Sequence, residues 1–183
     1  MVPIVVEKKK YTYEDYLKTP EDKRYELIDG ELLVTPSPTP YHQRVSRKLE
    51  FILESFITKN NLGEIFYAPC DVYLDNKNVV QPDMLFISQD RLNSIGDKNI
   101  QSAPNLVIEI ISENSVYRDM VQKKRLYARF DVKEYWIVIP EEKEVEVYIL
   151  KGKAYQLYKT YTKVDILESP SLKGLKIGLK EIF

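Results

Sequence analysis

The sequence predicts an α/β protein, with one mixed β-sheet flanked by helices and a β-hairpin near the N-terminus. Three observations predict it. First, the apolar run Leu106 to Ile111, an amphipathic stretch from about Ser115 to Phe130 and the apolar run Tyr135 to Ile139 read as strand, helix, strand, which requires a parallel crossover. Second, Asp29-Gly30 between two short apolar runs is a tight-hairpin signal. Third, the segment from about Pro40 to Thr58 puts Val45, Leu49, Ile52, Leu53 and Phe56 on one side at helical spacing.

Taken in order, Thr12 and Asp15 form a capping pair that opens a short helix, Tyr13 to Lys18, which Pro20 stops. Tyr25 to Ile28 and Glu31 to Val34 are the arms of the hairpin. The segment Thr35 to Pro40 carries three prolines and is a loop. Thr39 caps the long helix and Pro40 is its first residue, because proline has no N–H to leave unpaired there. Strands are expected at Ile65 to Leu74, with a break near Pro69, and at Val79 to Ile87. Asp90 to Pro104 reads as a loop or partial helix. Beyond the crossover, Val145 to Leu150 and Ala154 to Tyr158 pair around Lys151-Gly152. The tail from Thr160 has no clear period. The expected organisation is one domain over 1–183: a hairpin extension at about 11–35, a core at about 40–140, and a C-terminal hairpin and tail at 141–183.

Composition narrows the class. The chain has 183 residues, 44% hydrophobic and 30% charged, which fits a globular domain with a sizeable core. No apolar run is long enough to span a bilayer and the N-terminus lacks a signal-peptide pattern, so no membrane partner and a cytoplasmic location are expected. The lone Cys70 excludes an internal disulfide and a multi-cysteine zinc site, and is expected in the core. A net charge of −1 argues against indiscriminate coating of nucleic acid, although a local basic strip and an acidic site can cancel in the total.

Polar groups at positions reserved for the core mark candidate sites. Glu109 interrupts a run that reads as a strand buried on both faces, where a carboxylate is costly without a cation or donors. An alternating strand with one solvated face, or a structural ion pair, is the competing reading. Asp83 follows Pro82, which marks an edge, bulge or strand entrance. Strand alternation puts Gln81, Asp83 and Leu85 on one face, and a simple turn is the alternative. At about 100° per residue, Lys123 falls in the middle of the apolar arc formed by Leu126, Phe130, Val116, Tyr127 and Met120. Asp119 lies beside it, and Arg118, Gln122, Arg125 and Arg129 lie opposite. An inward lysine facing a buried carboxylate explains both anomalies; snorkelling past the core, or pairing with Asp119, explains only one. His42 on the inner face of the long helix and Glu31 past the hairpin turn are additional candidates, each with an ordinary structural alternative.

Pro-Asp on one strand, a glutamate in an apolar neighbour and an inward lysine resemble the PD-(D/E)XK nuclease superfamily. Within it, the ordered set Tyr25-Glu26-Leu27-Ile28-Asp29-Gly30-Glu31-Leu32, Ser37-Pro38, His42-Gln43, Gln81-Pro82-Asp83, Pro104 to Ser112, Asp119 with Lys123, Tyr127 and Glu134-Tyr135-Trp136 resembles the Uma-type family, from about Tyr11 to Tyr158. Three departures stand out. Ile111 occupies the usual lysine position two residues after the second acid, Ser112-Glu113-Asn114 replaces Ser-Pro-Ser, and Ile139-Pro140 replaces Asp-Pro. The resemblance implies a restriction-endonuclease-like fold and metal-dependent phosphodiester hydrolysis. Asp83, Glu109 and the Ile110 carbonyl would hold Mg²⁺ or Mn²⁺, Lys123 would serve the attacking water, and Tyr127 would lie near the phosphate or pack in the core. The implied partner is nucleic acid, DNA foremost, with a homodimer to cut both strands. A non-catalytic nucleic-acid-binding or assembly module on the same fold is the alternative.

Overall fold

The computed structural model describes residues 9–112 and 117–183. The chain opens with helix α1 (Tyr13–Tyr16), where the Thr12 hydroxyl and the Asp15 carboxylate satisfy each other's backbone N–H groups in a capping box. The hairpin follows as β1 (Arg24–Ile28) and β2 (Glu31–Thr35), with Asp29 and Gly30 at φ of 50° and 77°. Positive φ at both turn residues matches the right-handed twist of the arms, which is why Asp-Gly serves here. Thr39 caps α2 (Pro40–Lys59), whose inner face Val45, Leu49, Leu53 and Ile57 is fully buried.

The two long runs expected next each divide at a proline. Ile65 to Leu74 becomes β3 (Gly63–Tyr67) and β4 (Val72–Asp75), and Val79 to Ile87 becomes β5 (Asn78–Val80) and β6 (Met84–Ser88). The pieces enter different sheets, because Pro69 and Pro82 cannot donate to a ladder and the chain changes sheet at each. Asp83 therefore stands just before β6 rather than inside a continuous strand. Gln81 lies before that strand too, and its amide donates to Asp71 at 2.7 Å.

A 3₁₀ segment (Gln89–Ser94) leads to β7 (Leu106–Ile110). The crossover helix is not uniform. Its described part begins as a π-helical turn, Arg118–Lys123, and continues as α3 (Lys124–Arg129); Ser115 and Val116, the expected start and one arm of its apolar arc, lie outside the described residues, as do Glu113 and Asn114. The chain then forms β8 (Glu134–Ile139), β9 (Glu144–Lys151) and β10 (Ala154–Thr162), and the tail adds β11 (Ile166–Glu168), β12 (Lys176–Gly178) and α4 (Leu179–Ile182).

The main sheet runs β10-β9-β8-β7-β6-β3, with β7 and β8 parallel, and the smaller sheet runs β2-β1-β5-β4. One face of the main sheet packs on α2 and the C-terminal segment; the other packs on α3 and on apolar residues of the small sheet. Burying each large aliphatic side chain in these layers contributes about 1.5–3 kcal/mol. The tail is more structural than its sequence suggests, since Leu167, Leu172, Leu175, Ile177, Leu179 and Ile182 are all core residues. Cys70 is only half-buried, packed at the margin of the core rather than within it. Among the described residues, no helix is long and apolar enough to cross a membrane.

Candidate active site

The candidate site forms where the small sheet, β7, the entrance to β6 and the crossover helix meet. Pairing of Met84 with Ile108 sets the register of antiparallel β6 and β7. Continued one step, it brings Asp83 opposite Glu109. Glu109 faces the α3 side and is 3% exposed. Its Oε1 accepts from Lys123 Nζ at 2.9 Å and from the Tyr127 hydroxyl at 2.8 Å. Asp83, 20% exposed at its side chain, accepts at Oδ2 from the Ile110 N–H at 2.7 Å and lies 3.3 Å from His42 Nε2. β6 begins only at Met84, so at this level the Asp83 carboxylate takes the backbone donor that the ladder leaves free.

Lys123 occupies the centre. Besides Glu109, its ammonium lies 2.8 Å from Glu26 Oε1 and 3.5 Å from Asp119 Oδ1. Glu26, on β1, is fully buried, and the same Oε1 also accepts from the Gln81 backbone N–H at 2.9 Å. Three acids thus surround one buried lysine. Arg118 adds a more distant charge, 3.5 Å from Glu26 Oε2. The helical wheel places Arg118 on the solvated side; in the structure it turns toward the site. A π-helical turn carries more residues per turn than the 100° rule assumes, which rotates the residues at its start. Asp119 and Lys123 still point inward. Tyr135 steadies the turn by donating to the Asp119 carbonyl at 2.9 Å.

The electrostatics follow from this crowding. Burial raises the Glu109 pKa well above the usual glutamate range; Lys123 pulls it back, and Asp119, Asp83 and Glu26 push it up again. Burial works against the Lys123 ammonium, but Glu109, Glu26 and Asp119 outweigh it and hold the group charged. Tyr127 stays a neutral donor because burial, reinforced by Glu109, raises its pKa. Burial also disfavours charge on His42, yet the Asp83 carboxylate and the Ile110 backbone overcome it, so its pKa is raised. Among the described residues, the ring's Nδ1 is buried without a partner, as are Gln81 Oε1 and Thr35 Oγ1, and all three residues line the same cleft.

Of the residues singled out from sequence, Asp83, Glu109, Ile110, His42 and Lys123 line this cleft and Tyr127 backs it through Glu109. Glu31 does not join: it sits on β2 opposite Ile28, at the turn end of the hairpin. Glu26 stands in the sequence only as part of the family-like run Tyr25 to Leu32, because in a hairpin arm an acid reads as the solvated half of an alternating strand. The signal was available, since Tyr25-Glu26-Leu27-Ile28 is an acid in an apolar run just as Glu109 is.

The donor set fits a hard divalent cation. Asp83 Oδ1 and Glu109 Oε2 accept no hydrogen bond among the described residues, while their other oxygens are held in place. No group of three histidine, cysteine or acidic residues is arranged to cage an ion among the described residues. Magnesium does not require one, because it is commonly held by one or two carboxylates with water and substrate phosphate completing the shell.

Comparison with known proteins agrees with this architecture. The Uma2 family model, described as "Putative restriction endonuclease", matches residues 13–180. A crystal structure from Anabaena variabilis, described as a "putative nuclease", superposes with a TM-score of 0.78 at 19% identity, covering 94% of this chain and 97% of that one. At that identity the likeness establishes the restriction-endonuclease-like fold. No curated protein matches the sequence.

Proposed function

The chain belongs to the Uma2 family, and on that premise we propose that it is a metal-dependent nuclease that hydrolyses phosphodiester bonds of DNA. The observation that carries the reading is the convergence of Asp83, Glu109 and a buried Lys123 in one cleft. A buried lysine ringed by three acids is a poor way to gain stability, since desolvating such groups costs about as much as their attraction returns. It is a good way to hold carboxylates at fixed positions.

Asp83 and Glu109, with the Ile110 carbonyl, would hold Mg²⁺ or Mn²⁺, ions that favour oxygen ligands. When bound, such an ion supplies a Lewis acid for the scissile phosphate and lowers the pKa of water. The chain's own residues do the rest. The Ile110 N–H fixes one Asp83 oxygen and leaves the other free. Tyr127 and Lys123 do the same for Glu109. Two of the Lys123 donors are committed to Glu109 and Glu26; the third, on the long 3.5 Å contact to Asp119, is the one that can turn to a water or a phosphate oxygen. His42, whose Nε2 lies 3.3 Å from Asp83 Oδ2, would steady that carboxylate from the rim of the cleft. One chain carries one such site, so cutting both strands of a duplex would call for two copies related by symmetry.

The test is cleavage of supercoiled and single-stranded DNA with Mn²⁺ and then Mg²⁺, using variants checked for folding by circular dichroism. Asp83→Asn and Lys123→Ala should each lower turnover by about two orders of magnitude or more, the scale of losing one preorganised electrostatic group. Lys124→Ala makes the same change in net charge at the next residue, whose ammonium lies over the Tyr148 ring, and should stay near wild type. Equal activity in all three variants would remove the site from the chemistry, and no cleavage by purified wild type would favour a binding module on this fold.

A further inference from the structure

Beside the catalytic cleft lies a second one that shares Arg24, Pro38, His42 and Asp83 with it and runs along the outer face of α2. Its lining is basic and aromatic. Arg44 and Arg47 project from successive turns of α2, both exposed, and neither forms an ion pair among the described residues. Arg24 stands where the two clefts join, its guanidinium held by the Pro36 carbonyl at 3.0 Å. The opposite wall is Tyr67 at the end of β3, 53% exposed and paired across the ladder with Met84, the residue after Asp83. Glu50 is the one acid in this lining besides Asp83.

We infer that this cleft is the track of a single nucleic-acid strand, which it delivers to Asp83. The inference rests on the nuclease reading of the adjoining site and adds which form of nucleic acid it takes. Arg44 and Arg47, three residues apart, are offset by about 4.5 Å along the helix axis, close enough for both to reach phosphates of one strand. An exposed tyrosine offers a stacking face that any base can use, the usual partner of a basic groove in single-strand binding. Depth points the same way. Glu109 and Lys123 are each 3% exposed, so the scissile phosphate has to descend to meet them. A flexible strand can bend into such a cleft, whereas a stiff duplex presents its phosphates on a convex surface.

The test is fluorescence anisotropy of labelled oligodeoxythymidine and of a blunt duplex of equal length, in chelator, so that binding is read without cleavage. Wild type should prefer the single strand by about tenfold or more, a margin within the stacking contribution of one base. The Arg44→Ala/Arg47→Ala double variant should flatten the slope of log affinity against log salt by about 1.4, the loss of two single-strand phosphate contacts. Lys151→Ala/Lys173→Ala, an equal charge change at two exposed residues elsewhere, should leave the slope unaltered. Tyr67→Ala should weaken strand binding about tenfold and Tyr67→Phe should not, because the ring supplies the contact. Duplex bound as tightly as single strand, or equal slopes in the two double variants, would overturn the inference. These outcomes separate from those of the nuclease reading. Cleavage that needs Asp83 but ignores Arg44, Arg47 and Tyr67 defeats the track alone, and track-dependent binding without cleavage defeats the nuclease alone.

Discussion

Glu109 on β7 and Glu134 on β8 are both buried carboxylates in neighbouring parallel strands, and they lie on opposite faces of the same sheet. Their company differs. Glu134 accepts at Oε1 from the Trp136 indole at 2.6 Å and the Ser169 hydroxyl at 2.9 Å, and at Oε2 from the Ser171 backbone N–H at 2.7 Å. Every partner is a neutral donor, both oxygens are used, and the result fastens the turn after β11 to the sheet. Glu109 has one oxygen engaged, by Lys123 and Tyr127, and three other acids close enough to raise its pKa. The first arrangement satisfies a carboxylate; the second keeps one in surplus. Burial does not distinguish these two acids, but the count of donors against neighbouring acids does.

That contrast has measurable consequences. The largest effect is expected from Lys123→Met, which leaves Glu26, Glu109 and Asp119 buried without their central cation; it should cost about 3–5 kcal/mol in urea unfolding at neutral pH. A small loss would mean that the three acids take up protons or solvent readily. Next, Glu134→Gln puts an amide N–H against a donor in a site with no spare acceptor. It should cost about 2 kcal/mol or more while leaving turnover nearly intact. Glu109→Gln should do the reverse, abolishing activity yet changing the stability of metal-free protein by less than about 1 kcal/mol, because Lys123 keeps Glu26 and Asp119. A destabilisation of Glu109→Gln matching that of Glu134→Gln would erase the distinction between the two acids.

The smallest effect is a pH dependence. The folded-state pKa of Glu109 is raised, so the folded protein holds a proton there that the unfolded chain releases. Its contribution to stability is present below the ordinary glutamate pKa of about 4.3 and is lost as pH climbs through the raised value. In chelator, the melting temperature of Glu109→Gln minus that of wild type should therefore grow as pH rises from about 5. A gap that shrinks over that range would show that Glu109 is stabilised as a carboxylate.

How much of this was legible in the sequence depended on regularity. The Asp29-Gly30 hairpin, α2 and the parallel crossover each carried a period or a turn pair strong enough to read. Glu109 and Lys123 stood out because each broke such a pattern. Glu26 and Glu134 broke patterns too, but one is the middle residue of a five-residue hairpin arm and the other opens β8, where a polar residue looks like solvent-facing alternation. The division of two runs at Pro69 and Pro82 was only half visible. Proline announces a break, but which sheet each piece joins is decided by contacts distant in sequence. Arg118 was misplaced because nothing in the sequence announces a π-helical turn. The tail was opaque because its buried residues fall in strands of three residues, a helix of four and the turn between the strands, too short for any period to show.

The central claim is that the surplus of carboxylate oxygen at Asp83 and Glu109 exists to receive a divalent cation, and binding of Mn²⁺ followed by electron paramagnetic resonance tests it most directly. Wild type and Glu134→Gln should both deplete the free Mn²⁺ signal, with Asp83→Asn and Glu109→Gln losing that binding. Mn²⁺ bound equally by all four proteins, or by none, would contradict the account.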